Sequence, residues 1–488
     1  MRAINICWGM CLLFLLTTAT HAAAADRDLR LIQAVRKTDK VAVRALVKQG
    51  VKINAAEGDG RTALHWAAHA GDLDMVNLLL ELGANVNATT DLGITPLWVA
   101  CTNGSTAIIT RLLEAKANPN IAPESDGTPL MLASRTGNTD AVKLLLAHGA
   151  DPNAKEATRG QTALMWAVAE RRPEVVRLLL EKGANVHARS IASRRYVLMC
   201  CQDFEGDAAG GDYVDEGGDT PILFAARVGD IESAKLLLSA GANIEDAPPT
   251  GTSALVLAAH SDQGAFAAFL LDKGANPNAD GGGYTALHAA ILRSNLELVK
   301  ALLSHRANPN VRLMKATPAK RYSGFGFDKR TLGASPFLLA TRSGQMDAMR
   351  VLAANGADVN MGLDNGTSPL MAAAMRQVRG GRMAETRVVE AMKLALELGT
   401  KINTPNLDGD TALHFAATRR LDLVVQFLVD HGATVNARNT KGQTALAATL
   451  VPVPPAKGAG QATFDEYNFL SSHTAGTAEL LRKLGATE

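Results

Sequence analysis

The chain has 488 residues, 47% of them hydrophobic and 20% charged, with a formal net charge of +2. That apolar fraction is globular rather than disordered, and the near-neutral balance excludes a protein held to nucleic acid by bulk positive charge. Five cysteines are too few for a disulfide framework, and 4% aromatics leave the core mainly to Leu, Ala and Val.

Residues 1–25 read as an address. Met1 and Arg2 precede an apolar run from Ile4 to Leu16, and small residues lead to Ala23-Ala24-Ala25 before Asp26. A basic start, a short apolar stretch and an A-x-A exit form a secretory signal peptide, cleaved after Ala25. The other reading is an uncleaved anchor, although the apolar stretch falls short of the ~20 residues that span a bilayer. Neither Cys7 nor Cys11 lies in a convincing lipobox. Cleavage leaves Cys101, in an apolar helical pattern, and the adjacent Cys200 and Cys201, which either join as a vicinal disulfide or stay thiols.

From residue 26 the chain repeats itself. Residues 26–59 form an N-terminal cap, with 28–54 holding mainly the second half of a unit. GRTALHWAAHAG at 60–71 recurs as GITPLWVACTNG at 93–104, as GQTALMWAV from 160 and as GDTPILFAARVG from 218. Further copies begin near Gly251, Gly283, Gly333, Gly366, Gly409 and Gly442. Between them runs a second string, such as MVNLLLELGANVNA at 75–88. Thr62 and Thr95 are placed to cap a first helix, and Pro96, Pro129, Pro221, Pro336 and Pro369 occupy first-turn positions that need no donor. Gly71, Gly104 and Gly137 end first helices, and Gly83, Gly149 and Gly183 end second ones. Lys116 and Arg306 replace that glycine in two copies, at a cost of up to about 1 kcal/mol each.

These strings resemble the ankyrin repeat, with its period of 33 and its T-P-L-H-x-A signature, from about residue 30 to the end. Full TALH stands at 62–65, 285–288 and 411–414. The resemblance implies an all-α repeat solenoid: helix–turn–helix units with β-hairpin fingers, about eleven units with capping ends. Repeats then fill 60–186, 218–310 and 333–450. The segments 187–217 (acidic) and 311–332 (basic and aromatic) extend two fingers. Residues 376–387 lengthen a helix–helix connection, and 451–488 hold an insert and a closing helix.

Chemistry-bearing motifs are sparse. His65 and His69 are spaced i, i+4, but Trp66 stands where a zincin needs glutamate, so His65 reads as the structural histidine of the signature, as do His288 and His414. The acids of 203–219 do not follow a calcium-loop template. Gly324 and Gly326 in 320–330 lack the strand-to-helix context of a phosphate cradle. No nucleophile elbow, Walker or Cys-x-x-Cys motif occurs, and no non-repeat segment is long enough for a catalytic domain. The expectation is a protein that is not an enzyme, with no cofactor and no metal.

The resemblance also implies a concave face lined by finger tips and first helices. Mapped onto this sequence, it carries Trp66, Trp98, Trp166 and Phe224, and a row of Arg135, Arg227, Arg293 and Arg342 continued by Arg376 and Arg419. Tyr322, Phe325 and Phe327 are anchors in the second insert. Such rings form interface hot spots, and the arginines suit an acidic partner. The competing readings are rings half-buried under neighbouring fingers, and cations placed by the helix dipole. With the leader, the array looks like exported ankyrin-repeat proteins of Gram-negative bacteria, which implies the periplasm or the cell exterior. The expected function is a monomeric, exported protein-interaction scaffold, without nucleic acid and without stable membrane insertion after cleavage. The alternatives are a secreted effector of a host protein and, further off, a ligand-binding protein or enzyme whose site the inserts build.

Overall fold

The structure is a computed structural model that describes residues 28–124, 126–198, 211–315, 331–375, 382–449 and 476–487. The leader, Cys200, Cys201, Arg376, Tyr322, Phe325 and Phe327, and most of the 451–488 insert lie outside those residues.

Short helices follow one another in pairs. Typical pairs are Ala63–Ala70 with Leu73–Glu81, Pro96–Asn103 with Thr106–Glu114, and Pro336–Ser343 with Met346–Ala354. The first helix of a pair starts on a hydroxyl: Thr95 Oγ1 accepts from Trp98 N at 3.1 Å, and Ser335 Oγ from Leu338 N at 3.2 Å. Several second helices start on an Asp carboxylate or Asn amide oxygen, as at Asp72 to Met75 N (2.9 Å) and Asn138 to Ala141 N (3.0 Å). Each cap satisfies an amide that the helix itself leaves unpaired. Gly71 and Gly104 leave first helices in the left-handed conformation, at φ 72° and 70°. Lys116 and Arg306 adopt it too, at φ 69° and 66°, as their place in the glycine slot predicts. Arg171, Asp262, Ser294 and Arg420 do the same after first helices.

The N-terminal unit differs from expectation. It is a whole pair, Arg30–Arg36 and Lys40–Lys48, rather than mainly a second half. Its first helix has no side-chain N-cap, the signal by which the others announce themselves.

The chain packs as two compact units. Of the described residues, one comprises those within 28–191 with 219–225 and 232–242, and the other those within 192–218, 226–231 and 243–487. Within each, first helices pack on first helices and second on second. Ala63, Ala67 and Ala68 are fully buried, their small side chains admitting close helix approach, while Leu79, Ile108, Leu112 and Leu145 fill the space behind.

Asparagines tie successive repeats. In N-x-N the first accepts from the backbone of the second, as at Asn85 Oδ1 and Asn87 N (3.0 Å). The second reaches into the next repeat: Asn87 Oδ1 accepts from Asn118 N at 2.7 Å, and its Nδ2 donates to Lys116 O at 3.2 Å. Asn120, Asn310 and Asn360 repeat both bonds.

The inserts begin as extended fingers. In the second unit, strand β1 (Ser193–Leu198) pairs antiparallel with β2 (Gly211–Glu216), setting Arg194 opposite Asp215 and Tyr196 opposite Tyr213. The second insert closes at its base, where Leu313 N donates to Ala334 O (2.9 Å) and Gly333 N to Leu313 O (2.8 Å). Arg312 Nη1 clasps that base to the next finger through Gly333 O, Gly362 O and Asp364 Oδ1. The expected connection at 376–387 is in its later part helical. The second helix there runs from Arg382 to Glu397, and Glu385 Oε2 accepts from Leu423 N at 3.1 Å. A carboxylate at the next helix's N-terminus suits the helix dipole and holds the extension in place. Among the described residues no helix is long and apolar enough to cross a membrane.

A candidate protein-binding surface

The signature histidines are stacking devices. Thr62 N donates to His65 Nδ1 at 3.2 Å, so Nδ1 is the acceptor and Nε2 carries the proton that bonds Ile94 O at 2.9 Å. His288 and His414 make the same bonds to Ala334 O and Gln443 O. Burial holds His65 below its ordinary pKa and brings His288 down to about 4. Cys101 is buried as well, which pushes its thiol far up and leaves it unreactive.

Trp98 takes over the histidine's task. It stands in that slot, and its Nε1–H donates to Gly127 O at 3.0 Å, the carbonyl just before Thr128. Its polar edge is therefore spent on repeat stacking rather than held for a partner. Arg293 is spent likewise: its Nε donates to His260 O at 2.7 Å, satisfying the carbonyl end of the preceding first helix.

The slot after the histidine does not form a continuous aromatic stripe. Leu132, Ala289, Leu339 and Ala372 there are buried. Trp66, Trp166 and Phe224 stay half-buried, each keeping ring surface in reach of solvent. The Trp66 Nε1–H donates to Glu57 Oε2 at 2.9 Å, and Arg36 lies 3.9 Å over its ring. Trp166 carries the exposed Arg135 at 5.1 Å from its ring centroid. Arg227 is exposed, and the half-buried Arg342 and Arg419 flank a small depression of about 20 Å³ over Ala372. Arg36 and Glu57 went unnoticed in the sequence, although Glu57 stands nine residues before a tryptophan and Arg36 at a helix end like the other arginines.

The sequence matches the family described as ankyrin repeats (3 copies) over residues 11–90, 31–123, 97–190, 222–312 and 381–449. A second description, ankyrin repeats (many copies), matches 164–238. It is 28% identical over 265 residues to the B-cell lymphoma 3 protein homolog of Mus musculus, covering 53% of this chain and 54% of that one. It is 27% identical over 321 residues to the E3 ubiquitin-protein ligase KEG of Arabidopsis thaliana (59% of this chain, 18% of that one). With the ankyrin repeat and KH domain-containing protein mask-1 of Caenorhabditis elegans it shares 32% over 280 residues (57% and 9%). The chain thus spans about half the length, or less, of these relatives. The crystal structure of the human ASB11 ankyrin repeat domain aligns at TM-score 0.38 and 26% identity, covering 57% of this chain and 98% of that one.

Proposed function

The chain belongs to the ankyrin-repeat family, and from that premise we propose that it is a non-enzymatic, exported scaffold, monomeric, which binds an acidic protein partner on the finger and first-helix side of its repeats. Ankyrin-repeat proteins are generally protein-interaction scaffolds. The observation that supports this surface best is Trp166, a large ring partly open to solvent beneath the exposed cation of Arg135. Aromatic and arginine side chains are the residues that dominate protein interfaces. The ligase named among the relatives aligns over only 18% of its length, so its activity is not carried over with the repeats.

Export rests on the leader pattern at 1–25. Mass spectrometry of the protein from fractionated cells is expected to find a mature N-terminus at Asp26 outside the cytoplasm. An intact leader in the cytoplasm overturns export. Recovery from culture fluid rather than the periplasm favours the secreted-effector reading.

Binding is tested by retention of proteins from the cell envelope and culture fluid. The bait is compared with a variant carrying Arg135→Glu and Arg227→Glu, both exposed, so that folding is preserved. A protein retained by the first and lost from the second is the expected result. Equal retention moves the site elsewhere on the array, and no retained protein overturns the scaffold reading.

A further inference from the structure

Second helices in this chain share a surface pattern. Five of them carry an acid in the first turn and a cation three residues on that pairs with it, as at Asp140 and Lys143 (3.8 Å), Glu232 and Lys235 (2.7 Å), and Asp347 and Arg350 (2.9 Å). Such i, i+3 pairs neutralise the outward side of each helix.

The helix Lys40–Lys48 of the N-terminal unit breaks the pattern. Val41 stands in the acid's place, 78% exposed, and Arg44 follows three residues on without its carboxylate. At the last position of the helix stands Lys48, where the helices ending at Glu81, Glu114 and Glu181 have an acid. Val41, Arg44, Ala45 and Lys48 are all exposed, and helical spacing sets them on one face opposite the buried Val43. Lys37 before this helix and Lys52 after it are exposed too. The side chains of these four cations enter no ion pair or hydrogen bond among the described residues. The acids of the unit are engaged elsewhere: Asp39 accepts from Ala42 N at 2.8 Å, and Asp28 pairs with Arg30. Across 28–54 seven Lys and Arg stand against two Asp, a charge of +5 where the whole chain has +2. Neither feature helps the fold, since like charges repel and an exposed valine buries nothing.

We propose that this face of the terminal unit rests on an anionic phospholipid bilayer, with its cations among the headgroup phosphates and Val41 at their depth. The proposal goes beyond the protein-binding reading and uses none of its residues. A protein anchor is typically a rigid ring or an arginine in a fitted pocket, whereas this helix face has flexible cations round a short apolar side chain and no ring. Diffuse positive charge of this kind suits the smeared negative potential of a lipid surface. On the leader reading, this unit is also the part of the fold nearest the membrane during export. The contact is peripheral, because a helix of nine residues is far too short to span a bilayer.

The test is co-sedimentation of the chain from Asp26, since every contact described above is made without the leader. Vesicles of phosphatidylglycerol and phosphatidylcholine in equal parts are compared with phosphatidylcholine alone. Binding is expected to the first only, and to be lost as salt rises from ~0.05 to ~0.5 M. R44Q and K48Q are each expected to weaken it about fivefold, the share of one cation at an anionic surface. V41D gives the helix the acid that its neighbours have, and is expected to weaken binding at least as much with the thermal melt unchanged. K143Q removes a cation that already has its acid and is expected to leave binding as it was. Equal binding to both vesicles, or a loss in K143Q as large as in R44Q, overturns the proposal. So does absence of binding to phosphatidylglycerol; an acidic protein retained by the wild type and lost by V41D then gives this face to a protein instead.

Discussion

Lys116 and Arg306 stand after second helices, where Gly83 and Gly149 stand in other repeats, and all four have positive φ. A side chain with a Cβ is strained there, whereas glycine is not. The carbonyls of Lys116 and Arg306 accept from Asn87 and Asn278, bonds that glycine would keep. Lys116→Gly and Arg306→Gly are each expected to stabilise the protein by about 0.5–1 kcal/mol, read from the urea midpoint at constant slope. These two positions were legible because the Ala-Asn that follows each, as it follows glycine in the GAN strings of other repeats, marks the slot. Arg171, Asp262, Ser294 and Arg420 were not, because no neighbouring residue marks them.

His288 adds a pH dependence at the same scale. Its folded pKa, about 4, lies below the ordinary value of 6.5 because burial disfavours the charged ring. Between those values the unfolded chain binds a proton that the folded one does not. Stability is therefore full above about pH 6.5 and declines as the pH falls towards 4, by roughly 3 kcal/mol in all from this residue. His288→Gln, which titrates nowhere in that window, is expected to flatten the decline in urea melts between pH 7 and 4.5. An unchanged slope would assign the acid sensitivity to other groups.

At the scale of the element, stability passes from repeat to repeat through the asparagine bonds. Asn120 Oδ1 accepts from Asp151 N at 2.8 Å and its Nδ2 donates to Gly149 O at 2.9 Å. Asn120→Ala removes both and is expected to cost about 2–3 kcal/mol, at roughly 1 kcal/mol a bond with some penalty for groups left unpaired. Thermal unfolding followed by circular dichroism checks it, with the exposed Lys143→Ala as a control near zero. The helix pairs themselves were legible from caps and apolar spacing, since both act within a few residues. The helical extension from Arg382 was not, because its anchor, Glu385 at Leu423 N, lies 38 residues away in the chain.

At the scale of the molecule, each unit is a succession of neighbour contacts, so an added finger can be lost without unfolding the rest. β1 and β2 form a two-stranded ladder with each other, and such a ladder adds little stability of its own. Replacing residues 193–216 by an Asn-Gly turn is expected to leave the melting temperature within about 2 °C. A larger fall would show that the arm supports the repeats.

The sequence by itself determined the repeat, its helix pairs, the caps and the role of His65, His288 and His414, because each is announced by a short motif within one 33-residue period. It also marked which side chains are aromatic or basic on the first helices. Only the tertiary structure decided which of them are already engaged. Trp98 and Arg293 are bonded to carbonyls 29 and 33 residues away, whereas Trp166 and Arg135 meet each other and the Trp166 Nε1–H has no acceptor among the described residues. Residue type is written along the chain, but the partners of a side chain in a stacked array come from the repeat beside it.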